Sequence, residues 1–482
     1  MSLTPYLKYA TSRYIPYVLA ACFTLTILGL HMLPIMDSML NENNTRISHG
    51  FLKSQIDYHQ EIAPFARRPI TSSLINLAMD GWGLRAGHAF ILINFTALFF
   101  SSLLLFRLSV ILRGDRLRAL GNMVFYFLSF SILFAFFPPI FSYDEPLQYC
   151  FILAALIAFV KRKHVQYILF FTMALVTRET SLLLLPAIIF LFTERRGKAA
   201  KEVNDIKVSP SGIQKKEGQS RSKQIPERSN LDYRVIRDAR HYSPRLLLIA
   251  LPVILYGVYL FFFLFSYDQF QNTRIEIASR YSCFLENFEN TKNTIESITS
   301  LVLALAPFLY LTAVHYGEHM MHREQILKKA TNGLTTVETH TNQNFQPWIA
   351  AFLLTAAINT PLVILTAFAR ETRLFALPLL FLWPVFLQVF GPQLKLFISR
   401  NLYVKTFSNW RYLLAFIGLN TLNYWFCFRV YREYGLGENT FFAEYLFIVN
   451  LLMGLHFLLF KSLQAKIQSQ TSDRTASNAK FD

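Results

Sequence analysis

Val165-Gln166-Tyr167-Ile168-Leu169-Phe170-Phe171-Thr172-Met173-Ala174-Leu175-Val176-Thr177-Arg178-Glu179-Thr180-Ser181-Leu182-Leu183-Leu184-Leu185-Pro186 is apolar except at one point. From Val165 to Thr193 the only charged side chains are Arg178 and Glu179. An ionisable pair inside a membrane stretch is expensive and marks a functional site by default. The same letters return at Arg370-Glu371-Thr372-Arg373, again between two apolar runs.

The stretch reads either as one long span with Arg178 at its centre or as two short spans meeting at Thr177–Thr180. A single span would export the segment 194–245, which carries Arg195, Arg196, Lys198, Lys201 and further basic residues. Basic residues gather in cytoplasmic segments. Two short spans therefore agree better with the charge, and they place Arg178 and Glu179 at the outer face. Short spans require tilt or local thinning of the bilayer.

Working outward, 53% of the 482 residues are hydrophobic and 16% aromatic, with a mean hydropathy of +0.32. Several segments reach the roughly 20 apolar residues that cross a bilayer. The fold class is therefore all-α, a polytopic membrane helical bundle of about 12 transmembrane helices with no separate soluble domain. The expected spans are 14–36, 87–112, 119–138, 147–160, two within 165–193, 246–266, 297–316, 348–368, 374–390, 411–428 and 441–460. They group into an N-terminal membrane module, 1–193, with a large outer loop over 37–86. A basic segment, 194–245, follows; its composition points to disorder. A C-terminal module, 246–460, and a tail, 461–482, complete the chain. Both termini are expected in the cytoplasm.

The net charge of +17 is explained by cytoplasmic loops, and no folded basic module points to a nucleic-acid partner. Cys22, Cys150, Cys283 and Cys427 are scattered without metal-ligand spacing, so neither a zinc site nor a disulfide framework is expected.

This orientation collects the unusual polar residues on the outer side. Asp37 opens the first outer loop, which continues through Gln55-Ile56-Asp57-Tyr58-His59-Gln60-Glu61 and Pro64-Phe65-Ala66-Arg67-Arg68-Pro69. The next outer turn carries Asp144 and Glu145, and later ones carry Arg178 with Glu179 and Arg370, Glu371 and Arg373. Arginine holds phosphate through paired N–H donors, and a carboxylate takes a proton from an acceptor hydroxyl. Plainer readings stand beside these. Asp37 caps the end of a span, Asp144 and Glu145 start a solvated helix, and Arg67 and Arg68 attract anionic lipid headgroups. Arg178 with Glu179, and Arg370 with Glu371, are structural ion pairs. His31, His88 and His315 read as packed side chains.

The arrangement resembles the GT-C superfamily of membrane glycosyltransferases, which includes the protein O-mannosyltransferases and the lipid A aminoarabinose transferase. The resemblance covers residues 10–195. It rests on Asp37 after the first span, on Tyr58 and Pro64–Pro69 leading to the second, and on Asp144 and Glu145 in the next outer turn. Leu175–Thr180 running on to Pro186 matches a Thr-Lys break with Arg in place of Lys. Asp37 is followed by Ser38 rather than by a second acid. The resemblance implies a polyprenyl-phosphate-linked sugar as donor and a hydroxyl on a glycan, lipid or protein as acceptor. By it Asp37 is the catalytic base. Tyr58, Arg67, Arg68, Asp144, Glu145, Arg178, Glu179, Arg370, Glu371 and Arg373 bind substrate. Arg178, Arg370 and Arg373 would neutralise the leaving phosphate, Glu179 and Glu371 would orient them, and Asp144 or Glu145 would hold a divalent metal or contact the sugar. The place is a plasma membrane, bacterial by preference, with membrane lipid as the surrounding partner. Three rival readings are a transporter or flippase for a lipid-linked or anionic substrate, a polysaccharide polymerase or ligase, and an assembly scaffold.

Overall fold

The computed structural model describes residues 13–32, 49–112, 114–135, 142–194, 248–265, 282–331, 345–435 and 441–478. Asp37, Ser38 and the segment 195–247 lie outside the described residues. Within them the chain is helical throughout, without a strand.

The longer helices are α1 (Ile15–Ile27), α2 (His49–Glu61), α3 (Pro69–Trp82), α4 (Ala86–Ile111), α5 (Arg116–Leu128), α6 (Glu145–Val160) and α7 (His164–Thr177). They continue with α8 (185–194), α9 (Leu248–Phe265), α10 (Thr291–Thr331), α11 (Gln346–Thr366), α12 (Phe386–Leu394), α13 (Trp410–Trp425) and α14 (Phe442–Asn478). Among the described residues seven helical segments are long and apolar enough to cross a membrane: Ala86–Ile111, Leu248–Phe265, Thr291–Glu318, Gln346–Thr366, Leu379–Ile398, Trp410–Tyr434 and Phe442–Ala465. Ile15–Leu30, Glu145–Val160 and His164–Thr177 are apolar but shorter. The protein is a membrane protein, all-helical over the described residues.

The structure departs from the sequence expectation in four places. The outer loop 37–86 is helical where it is described, because Leu52 with Ile56 and Thr71 with Ile75 and Ala78 fall on buried faces at helical spacing. The span expected over 119–138 ends as α5 at Leu128, where Ser129 turns extended (ψ 133°) before a short helix, Phe130–Leu133. The span expected over 374–390 is broken into 3-10 turns and short helices from Thr372 to Ile398, with Pro378 and Pro384 at the junctions. Helices α10 and α14 run past their expected ends at 316 and 460.

The 165–193 stretch divides at the charged pair. Helix α7 stops at Thr177, and Arg178 is extended (φ −161°, ψ 119°). A 3-10 turn, Glu179–Leu184, leads into α8. A break inside an apolar stretch exposes backbone groups that need partners. Here the Ser181 hydroxyl donates to the carbonyl of Ala174 at 3.0 Å, and the Gln148 amide donates to Ser181 Oγ at 2.8 Å. The turn Lys161-Arg162-Lys163, with Arg162 left-handed at φ 58°, folds α7 back along α6. The beginning of α6 and the end of α7 therefore lie side by side.

The broken Thr372–Ile398 segment runs through the centre of the fold. Trp383 is fully buried, edge-on to Tyr126 at 4.9 Å, and donates its indole N–H to Ser129 Oγ at 2.6 Å. Asn122 donates to the carbonyl of Pro384 at 2.8 Å and accepts from the Leu387 N–H at 2.8 Å. These bonds satisfy backbone groups where the 3-10 turn Trp383–Val385 passes into α12.

Candidate functional site

Four elements meet at one end of the bundle: the start of α3, the start of α6, the end of α7 and the loop after α11. Each brings charge. Arg67 and Arg68 precede α3, Asp144 and Glu145 open α6, Arg178 and Glu179 occupy the α7 break, and Glu371 and Arg373 lie just beyond α11.

The pairing across these elements differs from that along the sequence. Glu179 accepts from Arg67 at 2.9 Å and from Arg68 Nε at 2.6 Å, with a further contact to Arg68 Nη2. Arg178 donates to Glu145, not to its neighbour Glu179. An extended residue followed by a 3-10 turn sends successive side chains in different directions. Glu145 also faces Arg373 Nε at 3.2 Å and accepts from the Tyr143 N–H at 3.2 Å. Glu371 accepts from Arg373 Nη2 at 2.8 Å. Asp144 lies 3.9 Å from Arg68. Arg67, Arg68, Arg178 and Arg373 thus face Asp144, Glu145, Glu179 and Glu371, a ring balanced in formal charge.

The ring borders a cavity of about 600 Å³ lined by Arg68, Asp144, Glu145, Arg178, Glu371 and Arg373 together with Tyr58, His59, Phe65, Phe368 and Glu286. A second cavity of about 80 Å³ shares Arg68, Glu145, Arg178 and Arg373, adds Glu179, and is otherwise lined largely by apolar side chains such as Leu183, Leu362 and Val363. Arg370 is not brought to either cavity. Its guanidinium stands 5.0 Å over the Phe368 ring, and its carbonyl accepts from Ser300 Oγ at 2.7 Å. The sequence expectation puts it on the phosphate beside Arg373; in the structure Arg373, inside the 3-10 turn Thr372–Phe375, lines both cavities and Arg370, just before that turn, lines neither. Glu179 is paired with Arg67 and Arg68, and Arg178 with Glu145.

Sequence reasoning passed over His59, Tyr143 and Gln148. His59 stacks on Tyr143 with centroids 3.7 Å apart, and Tyr143 shares a hydrogen bond with Ser72 at 2.9 Å. The usable signal was His59's place inside the polar loop motif already singled out. Burial, reinforced by the Arg68 charge, lowers the His59 pKa to about 3, so its imidazole is neutral.

Burial also drives Asp144 up to about 6, against the pull of Arg68. Burial acts on Glu179 in the same direction but is outweighed by Arg68 and Arg67, and its pKa falls. The Asp144 shift predicts a pH dependence. The folded state binds this proton more readily than the unfolded state, in which the group titrates at its ordinary 3.8. Its contribution to stability is then complete below pH 3.8 and is lost as pH rises through about 6. Asp144→Asn should gain melting temperature relative to wild type across that window. Parallel melting curves against pH would remove the argument.

Among the described residues no group of three or more His, Cys, Asp and Glu side chains is placed so that it could hold a metal ion. The two carboxylates expected to hold a divalent metal already face Arg68, Arg178 and Arg373. A cation placed between them would meet guanidiniums, so these residues do not fit a metal ion.

Comparison with protein-family models, with curated proteins and with solved structures finds no match to this chain.

Proposed function

We propose that this membrane protein is an inverting glycosyltransferase that moves a sugar from a polyprenyl-phosphate donor to an acceptor hydroxyl on the extracytoplasmic face of a plasma membrane. In this reading the chain has about twelve spans in a GT-C-like arrangement, with both termini in the cytoplasm. The observation that carries it is the set of four guanidiniums at one end of apolar helices, three of them facing a chamber large enough for a sugar.

The acceptor oxygen attacks the anomeric carbon opposite the phosphate. The bond from that carbon to the phosphate oxygen breaks, and its electrons leave with the polyprenyl phosphate. The proton passes from the acceptor hydroxyl to the carboxylate of Asp37. Arg178 and Arg373 stabilise the charge that grows on the leaving phosphate, a term that is large in a dry site. Glu145 holds both arginines in place, and the Tyr58, Phe65 and Phe368 rings offer flat apolar faces to the sugar.

A transporter or flippase for a lipid-linked anion is the second reading, favoured by one observation: Arg68, Glu145, Arg178 and Arg373 border two cavities rather than one.

The test is native mass spectrometry of the protein in mild detergent, wild type beside Arg178→Ala. Glu145 keeps Arg373 and the Tyr143 N–H in that variant, so the fold should persist. Wild type should retain polyprenyl phosphate or its glycosylated form, and the variant should lose it. The mass of the attached sugar names the donor. Two folded proteins that bind other phospholipids equally and no polyprenyl lipid would refute the donor site.

A further inference from the structure

The four carboxylates of the ring are not held alike. Asp144 and Glu145 are sunk in the fold, at 1% and 3% side-chain exposure. Glu179 is clamped by two guanidiniums. Glu371 is 21% exposed, lines the large chamber and, among the described residues, pairs with Arg373. It sits on a loop immediately before a 3-10 turn of four residues, Thr372–Phe375.

Arg373 in turn has two anions. Glu145 is fixed, because Arg178 and the Tyr143 N–H also bind it. Glu371 takes Arg373 Nε at 3.2 Å and Nη2 at 2.8 Å through one oxygen, Oε2. A phosphate arriving in the chamber meets the same Nη2–H donor, which Glu371 Oε2 holds at 2.8 Å while Nε is shared with Glu145, and it competes with the Glu371 carboxylate for that donor.

We propose that Glu371 is an internal counter-ion that occupies the phosphate subsite on Arg373 and is displaced when a phosphate-bearing ligand binds. This rests on the anion site of the proposed function and deepens it. The ring is balanced when empty, so a ligand phosphate enters by exchange for a carboxylate, and Glu371 is the one whose release leaves the others paired. Glu145 keeps Arg373 in position during the exchange. Specificity follows from charge: a neutral sugar lacks the means to displace Glu371, whereas a phosphate monoester or diester can do so.

The opposing role, in which Glu371 orients Arg373 for the ligand, predicts the reverse effect of the same substitution. The experiment is titration calorimetry with farnesyl phosphate and, separately, with inorganic phosphate, on wild type, Glu371→Gln and Arg373→Ala in detergent. Glu371→Gln should bind farnesyl phosphate about tenfold more tightly, the scale of one charge-assisted contact. Arg373→Ala should lose most of the binding. Glu371→Asp, which keeps the charge on a shorter stem, serves as a second variant and should show a smaller gain. The same gain with inorganic phosphate places the effect at the anion subsite, while a gain confined to farnesyl phosphate would put it on the lipid tail and overturn the proposal. Weaker or unchanged binding in Glu371→Gln overturns it too and leaves the glycosyltransferase reading intact. If no folded variant binds either probe, the anion site falls and the proposal falls with it.

Discussion

Alanine at Arg68 is expected to cost about 3–5 kcal/mol of stability, the range found when one partner of a buried charge pair is removed. Arg68 is 6% exposed and serves two carboxylates, Glu179 directly and Asp144 at 3.9 Å. Its loss takes from Asp144 the guanidinium at 3.9 Å and leaves Glu179, among the described residues, with Arg67 alone. Arg67→Ala provides the contrast, because Arg67 is 22% exposed and Glu179 would keep both bonds from Arg68. That substitution should cost about 1 kcal/mol, toward the value of a partly exposed pair, because Glu179 keeps its partner. Thermal denaturation in detergent separates the two. Equal losses would mean that the ring's stability does not depend on which arginine is buried.

Glu145→Gln is expected to reduce sugar transfer by about 10²–10³-fold while the fold persists, the scale of losing one preorganised electrostatic element. Glutamine preserves the size of the side chain and an acceptor for the Tyr143 N–H, so local packing remains. What disappears is the charge that Arg178 and Arg373 share. Both guanidiniums then settle elsewhere, and the leaving phosphate meets them out of position. The measurement is release of polyprenyl phosphate from a lipid-linked donor by purified protein. A fall in rate without a fall in donor affinity identifies an interaction made mainly in the transition state. Turnover near the wild-type level would assign Glu145 to folding alone.

The composition of the chain made its helical membrane character legible, and the charges inside the 165–193 stretch made the break at Arg178 legible. Pairing was not. Adjacent letters suggested that Arg178 meets Glu179 and that Arg370 meets Glu371. The backbone instead sends Arg178 to Glu145, Glu179 to Arg68 and Glu371 to Arg373. Sequence distance carries no information about which side of an extended residue or a 3-10 turn a side chain leaves from. The helices α2 and α3 carried a readable signal in the spacing of Leu52 with Ile56 and of Thr71 with Ile75 and Ala78. Their polar surroundings concealed it. His59 stood only as one letter of the polar motif Gln55–Glu61, and only the fold brings Tyr143 and Arg68 to it. Asp37, the base in the proposed reaction, lies outside the described residues and rests on its place in the sequence.

The pairing around Glu145 also bears on how the protein is made. A chain enters the membrane from its N-terminal end as it is synthesised, and early parts begin to assemble before late ones exist. Arg67, Arg68, Asp144, Glu145, Arg178 and Glu179 all belong to the early part, so most of the ring can close while the ribosome is still at work. Glu145 then waits with Arg178 alone, and Arg373 joins it only after α9, α10 and α11 have been inserted. Until that moment the early ring is already balanced, three guanidiniums against three carboxylates, but Glu145 lacks the second guanidinium that fixes it, so the Glu371–Arg373 loop, itself a balanced pair, is also the piece whose arrival completes assembly.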